Sequence, residues 1–323
     1  MTAYAGRSVL VIGGLGFIGA HVTIALARAG ATVRVLTPSR ERHADTADAL
    51  AATGVDIIEG DVRDLTHVRH AVSNQHVVFN LSGQSGAVRS MEDPWTDLDV
   101  NVRGNLVLLE AVRDSKQQPR LVFVGSRLQY GKPVSLPVDE DDLGAPRCLH
   151  AIHKQTVEQY LALYGRLFGL DYVIARVTNP YGPGQPQGRT AYGVVNRLIH
   201  LALAGERLTI YGDGQQQRDY VHVDDVTTAL LLAGTAPAAS RRVYNVGSGS
   251  GTPMIDMARA IVDIAGAGQV VHVPWPALAA EVETGDFVAD ISRIQRELAW
   301  SPSVTLHDGL RRTVAFYRKH LAT

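Results

Sequence analysis

Glycines at positions 13, 16 and 19 stand between an apolar run, Ser8-Val-Leu-Val-Ile12, and an alanine-rich apolar segment that continues to Ala29 and stops at Gly30. The spacing predicts strand, tight turn and helix. In that arrangement Gly13 permits the turn, Gly16 lets the backbone approach a pyrophosphate, and Gly19 lets the helix pack on its strand. Amides that open the helix, including those of Phe17 and Ile18, have no partner within the first turn and are free to hold phosphate oxygens. A glycine triplet alone also suits an ordinary turn. Placed between a strand and a helix, it points to a dinucleotide site.

The first half of the chain continues that pattern. Ala31 to Leu36 alternates like a second strand, and a helix through Arg42 to Thr53 leads to a third strand at Val55 to Glu59. His76 to Leu81 and Leu121 to Val124 read as the fourth and fifth strands. One long helix is expected over Pro94 to Arg113, where Leu98, Val102, Leu106, Leu109 and Val112 fall at helical spacing. A helix holding His150 and Lys154 runs to about Phe168, and Tyr172 to Val177 is a sixth strand. Strands alternating with helices specify an α/β fold, a Rossmann-type doubly wound parallel sheet, whose ligands sit at the carboxyl ends of the strands. Asp61, Val62, Leu81, Ser82 and Gly83 all fall there and are assigned to the cofactor. Beyond Thr178 the alternation breaks down, with a helix expected around Ala191 to Leu203. Residues 1–178 are therefore read as the dinucleotide-binding domain and 179–323 as a smaller mixed α/β substrate domain, with about 215–250 returning to the first.

The end of the second strand is where the adenosine ribose is read. An acidic residue there would bind a 2′-hydroxyl and repel a 2′-phosphate, whereas Thr37 with Arg40 close behind could take the phosphate. Solvated arginines opening a helix account for the same residues. NAD and NADP both stay open.

Composition removes other classes. A chain of 323 residues can bury a sizeable core, and its formal charge of −1 gives no support to a nucleic-acid or anionic-membrane partner. Cys148 is the single cysteine, so no internal disulfide can form and a reducing compartment fits. The start of the sequence lacks signal-peptide architecture and no run is long enough to span a bilayer. A cytoplasmic location is expected, and no metal site is assigned.

Several segments together resemble the extended short-chain dehydrogenase/reductase family, and within it the nucleotide-sugar epimerases and dehydratases. They are the glycine loop, Gly60-Asp-Val-Arg-Asp64, Asn101 in Val-Asn-Val-Arg-Gly, Tyr181-Gly-Pro183, Tyr211-Gly-Asp-Gly214, Arg218 to Asp225 and Leu298-Ala-Trp-Ser-Pro302. The resemblance implies an NAD or NADP cofactor, a nucleotide-diphosphate sugar as substrate, and a homodimer paired through the helices at Pro94 to Arg113 and about Arg147 to Phe168. It makes Ser126 the hydroxyl that bonds the reacting oxygen and Lys154 the lysine that holds the nicotinamide ribose. In the family a tyrosine stands four residues before that lysine. Here the position is His150.

Tyrosine and histidine both exchange protons, but an imidazole nitrogen reaches about 2 Å less far than a phenol oxygen, which is large against hydrogen-bond tolerance. His150 is thus either a working acid/base or the mark of an altered, retired site. Nearby Cys148 and His153 are read as a buried thiol and a helix-surface imidazole. The places where related dehydratases carry acidic residues hold Arg127 and Leu128, which disfavours elimination. On the substrate side, Asn179 and Arg218 resemble contacts to a nucleotide diphosphate, the alternative for Arg218 being an ion pair with Asp219 or Asp225. Gln84, Ser85 and Arg89, with Ser126, are placed around the sugar. The implied reaction is of the 4-epimerase type. An NADPH-dependent keto-sugar reductase and a catalytically retired binding protein are the alternatives.

Overall fold

The computed structural model describes residues 2–185 and 193–321. Its organising element is a seven-stranded parallel sheet of β1 (Ser8–Ile12), β2 (Thr32–Thr37), β3 (Asp56–Glu59), β4 (Val77–Asn80), β5 (Arg120–Ser126), β6 (Tyr172–Val177) and β10 (Arg242–Val246), in the order β10-β6-β5-β4-β1-β2-β3. Central strands read as unbroken Val, Ile, Leu and Phe because helices cover both faces. Successive β1 side chains point to opposite faces. Val9 and Val11 pack with α1 (Phe17–Arg28), α2 (Ala44–Ala51) and α9 (Val223–Thr235). Leu10 and Ile12 pack with α3 (Leu65–Val72), α6 (Gly104–Arg113) and α7 (Leu149–Phe168).

Strand order reverses between β1 and β4, opening a crevice at their carboxyl ends. The later elements stand beyond that crevice. β7 (Asn179–Tyr181), β9 (Gln217–His222) and β11 (Gly251–Pro253) form a three-stranded sheet, and β8 (Arg207–Tyr211) pairs with β12 (Gln269–Val273). A separate apolar cluster joins α8 (Val194–Leu203), α10 (Met254–Ala265) and α13 (Leu306–Leu321). Ala191 and Tyr192, expected to open α8, lie outside the described residues. Helices α11 (Ala277–Glu281) and α12 (Ser292–Leu298) lie between β12 and α13, and no helix among the described residues is long and apolar enough to cross a membrane.

One element differs from the expectation in a way that matters. The single helix expected over Pro94 to Arg113 is α5 (Pro94–Leu98), a π-helical turn over Asp99–Arg103, and then α6, preceded by a short α4 (Ala87–Glu92). The apolar spacing survives a π turn well enough to read as one helix. The extra residue, however, turns Asn101 inward, where it is buried, and π turns recur at functional sites for this reason.

Candidate active site

The glycine loop is built as its spacing requires. Gly13 has φ +77, and a Cβ there would meet the Leu81 carbonyl oxygen at 2.9 Å, so the β1 and β4 loops touch. A Cβ on Gly19 would stand 2.1 Å from the Gly13 carbonyl oxygen, which fixes how closely α1 returns over β1. Gly16 caps α1, and Phe17 and Ile18 form its first turn. Ser82 donates to Asn80 Oδ1 (2.6 Å), while Asp61, just after β3, is held by the Arg63 guanidinium at 2.5–3.0 Å, chiefly by those hydrogen bonds well below the usual carboxylate range. Val62 is buried beside them. Thr37 donates to the Ser39 carbonyl, and the Arg40 side chain is exposed. An acidic group does stand beside the end of β2, from the neighbouring strand: Glu59, paired in register with Thr37, accepts the Arg40 amide at 2.6 Å. Reading along β2 alone missed it.

At the opposite side of the crevice, α7 presents His150 and Lys154 one turn apart on one face. Lys154 Nζ donates to the Val124 carbonyl at 2.9 Å, and burial pushes its pKa down to about 8. Ser126 ends β5 as the cap of the following turn, its Oγ accepting the Leu128 amide (3.3 Å), so its own proton stays available to a ligand. His150 is only 4% exposed, and its Nδ1 has no hydrogen-bond partner. It faces Asp97, whose carboxylate oxygen is 3.8 Å away, an ion-pair distance rather than a hydrogen bond.

Asp97 was not legible as a site residue, yet it is wholly buried at 0% exposure. His153 is corrected with it. The expected surface imidazole is buried, because α5 crosses α7 there, and its Nδ1 lies 2.6 Å from Asp97 Oδ1. Burial works to raise the Asp97 carboxyl, but contacts from His150, Asn101 and His153 outweigh it and hold the group below its ordinary value. Burial holds His150 below the usual imidazole range, with Asp97 opposing and the Lys154 charge reinforcing. Gln84 belongs to this framework: its Nε2 reaches the Asp93 carbonyl at 3.2 Å and its carbonyl accepts Asn101 Nδ2 at 2.9 Å. Gly83 carries the loop past them with no room for a side chain, since a Cβ would stand 2.5 Å from Asn101 Oδ1 and 3.7 Å from Lys154 Nζ. Ser85 and Arg89 follow on the same loop and on α4, partly buried. Cys148 is buried as expected, which pushes its thiol pKa up.

Two guanidinium groups stand just after β5 and on β9. Arg218, 3% exposed, donates to the Gln217 and Gly285 carbonyls and is ion-paired with Glu283. Neither Asp219 nor Asp225 is its partner. Asp219 accepts Ser248, Gly249 and Ala289 amides at 2.6–3.1 Å, and Asp225 accepts those of Ser303 and Val304. Arg127, deep in the cleft but still reached by solvent, donates Nε to Asn179 Oδ1 at 3.0 Å and Nη1 to Thr284 Oγ1 at 2.9 Å. Asn179 Nδ2 in turn donates to the Asp219 carbonyl at 2.9 Å. Leu128 packs with Cys148, Ala151 and Val282.

The arrangement offers a pyrophosphate cradle, a hydroxyl donor, a buried imidazole backed by a carboxylate, and a cationic wall. A family model described as NAD dependent epimerase/dehydratase matches residues 9–247. A UDP-glucose 4-epimerase from Mycolicibacterium smegmatis is 34% identical over 96% of this chain and 98% of its own length. Among solved structures, a UDP-glucose 4-epimerase with UDP-glucose from Thermotoga maritima superposes with a TM-score of 0.89 at 31% identity, covering 97% of this chain and 99% of that one. The Thermus thermophilus UDP-glucose 4-epimerase in complex with NAD gives 0.84 at 32% identity, covering 96% and 99%.

Proposed function

The chain belongs to the NAD-dependent epimerase/dehydratase family, and we propose from this that it inverts the C4 centre of a nucleotide-diphosphate sugar, with His150 as the acid/base. NAD supplies, when bound, an acceptor that takes a hydride from C4 and gives it back. The observation that carries the reading is the buried His150 facing Asp97, a carboxylate 3.8 Å from its Nδ1 and placed to favour a positive imidazolium. Neutral at ordinary pH because of its burial, His150 accepts the sugar 4-hydroxyl proton as the C–H bond breaks and returns it after the sugar turns over. With Nδ1 turned to Asp97, Nε2 is the nitrogen left for the substrate. Asp97 steadies the imidazolium that forms. Ser126 donates to the reacting oxygen, and Lys154, fixed by the Val124 carbonyl, holds the nicotinamide ribose.

The glycine cradle, Phe17 and Ile18 amides, Asp61, Val62 and the 81–83 loop suit a dinucleotide, and Glu59 favours a free 2′-hydroxyl, hence NAD over NADP. Asn179 and Ser126, with Gln84, Ser85 and Arg89 around them, are assigned to the nucleotide sugar. A homodimer is supported by exposed apolar side chains on the helices expected to pair: Trp95 at 76% exposure, Leu98 and Leu106, with Ile152, Leu163 and Leu167 on α7. Incubation with NAD and a panel of nucleotide sugars tests the activity, read as appearance of the C4 epimer. Absence of any epimer across the panel, with His150→Ala indistinguishable from wild type, would refute it.

A further inference from the structure

Among the described residues, Arg127 carries a charge with no carboxylate paired to it. Its partners, Asn179 Oδ1 and Thr284 Oγ1, are neutral, and among the described residues no carboxylate oxygen lies within ion-pair distance of it. The neighbouring carboxylate, Glu283, is committed elsewhere: it pairs with Arg218 and accepts the amides of Thr284 (3.0 Å) and Gly285 (2.9 Å). Two guanidinium groups and one carboxylate leave a net positive charge in the cleft. Burial, reinforced by positive Arg218, pushes the Arg127 pKa down to about 9, so the charge is held at a cost. A charge kept deep in a protein without a counter-charge is expensive, and a ligand that brings one recovers the cost.

The guanidinium is also already aimed. Nε and Nη1 are tied by Asn179 and Thr284, the Phe287 ring lies 5.8 Å from Cζ, and among the described residues nothing accepts from Nη2. Arg127 directly follows Ser126, the residue assigned to the reacting sugar oxygen, so its backbone stands beside the proposed sugar position. We propose that Arg127 selects nucleotide sugars bearing a carboxylate on the sugar, the nucleotide-diphosphate hexuronate class, over neutral hexoses. The inference rests on the nucleotide-sugar reading of the site. A planar guanidinium binds a carboxylate through parallel hydrogen bonds, which a hydroxymethyl group cannot return. The diphosphate is the other anionic group such a ligand carries, and the test separates the two.

Calorimetric titration of the full-length protein, with NAD present, should compare UDP, UDP-glucose and UDP-glucuronate as probes. Wild type should bind UDP-glucuronate at least about tenfold more tightly than UDP-glucose, and Arg127→Met should abolish that preference while leaving UDP affinity within about threefold. Equal binding of the two sugars by wild type overturns the proposal, and this arm needs no variant. So does an Arg127→Met protein that loses affinity for UDP as strongly as for UDP-glucuronate, since the guanidinium would then serve the diphosphate. If none of the three probes binds wild type, the nucleotide-sugar reading itself falls and takes this inference with it.

Discussion

Asp97→Asn is the substitution that most directly probes the proposed acid/base. It keeps the shape of the side chain and removes one buried negative charge 3.8 Å from His150 Nδ1. At an effective dielectric constant of about 20, unit charges at that separation interact by about 4 kcal/mol. This is a ceiling, because the carboxylate is shared with His153 at 2.6 Å and solvent reaches the cleft. Since the stabilisation applies to the imidazolium formed during reaction, Asp97→Asn should lower kcat by between about tenfold and a thousandfold, with KM for the nucleotide sugar within about threefold. The pH profile supplies a second readout. Neutral His150 is the active base, so activity falls as pH drops through its pKa, which burial already holds below the ordinary imidazole value. Asp97 raises that pKa, and its removal should therefore move the acid limb to lower pH. Steady-state kinetics from about pH 5 to 8 cover the range. An Asp97→Asn enzyme with wild-type kcat and an unmoved acid limb would refute the argument, provided NAD affinity shows the site intact.

Three further outcomes follow from other parts of the molecule. Gly19→Ala sets a methyl group 2.1 Å from the Gly13 carbonyl oxygen and should weaken NAD binding by tenfold or more, or unfold the first turn of α1, as fluorescence titration and thermal melting distinguish. Glu59, at the ribose corner, should make NAD bind at least about tenfold more tightly than NADP, and Glu59→Ala should narrow the gap; a native preference for NADP would contradict the assignment. Glu158→Gln removes the carboxylate that holds buried Arg176 at 2.6 and 2.9 Å, and should cost about 3–5 kcal/mol in urea denaturation, whereas a loss below about 1 kcal/mol would mean the guanidinium finds another partner.

The sheet and its glycine loop were legible because both rest on local patterns: apolar runs of strand length, helical spacing between them, and glycines where the turn permits nothing larger. Helix continuity was less so. Leu98, Val102 and Leu106 keep an apolar stripe across the π turn, and a stripe alone does not reveal that one residue has been added. Asp97 gave no signal for a related reason, since an aspartate in the first turn of a short helix reads as a solvated complement to the helix dipole. Its burial depends on α5 crossing α7, a tertiary contact with no trace in the spacing. His153 is buried by the same contact. Arg218 has acids close by in sequence, Asp219 and Asp225, but its partner is Glu283, 65 positions along. Arg127 could be recognised as an unusual residue at its position, while the neutrality of its partners is visible only once the 283–285 loop is in place.

The π turn at Asp99–Arg103 also makes the site sensitive to chain length as distinct from chain chemistry. A π turn is an α-helix with one residue more than its hydrogen-bond ladder needs. Excising a residue there, of whatever kind, would let the ladder close as ordinary α-helix and swing everything on its amino-terminal side by about 100° about the axis. α6 would keep its buried face, and the composition would hardly change. Asp97 would nonetheless leave His150 and His153, and Asn101 would leave the Gln84 carbonyl. In this segment an insertion or deletion acts as a rotation, so relatives that differ by a single gap here would differ in the acid/base they can assemble.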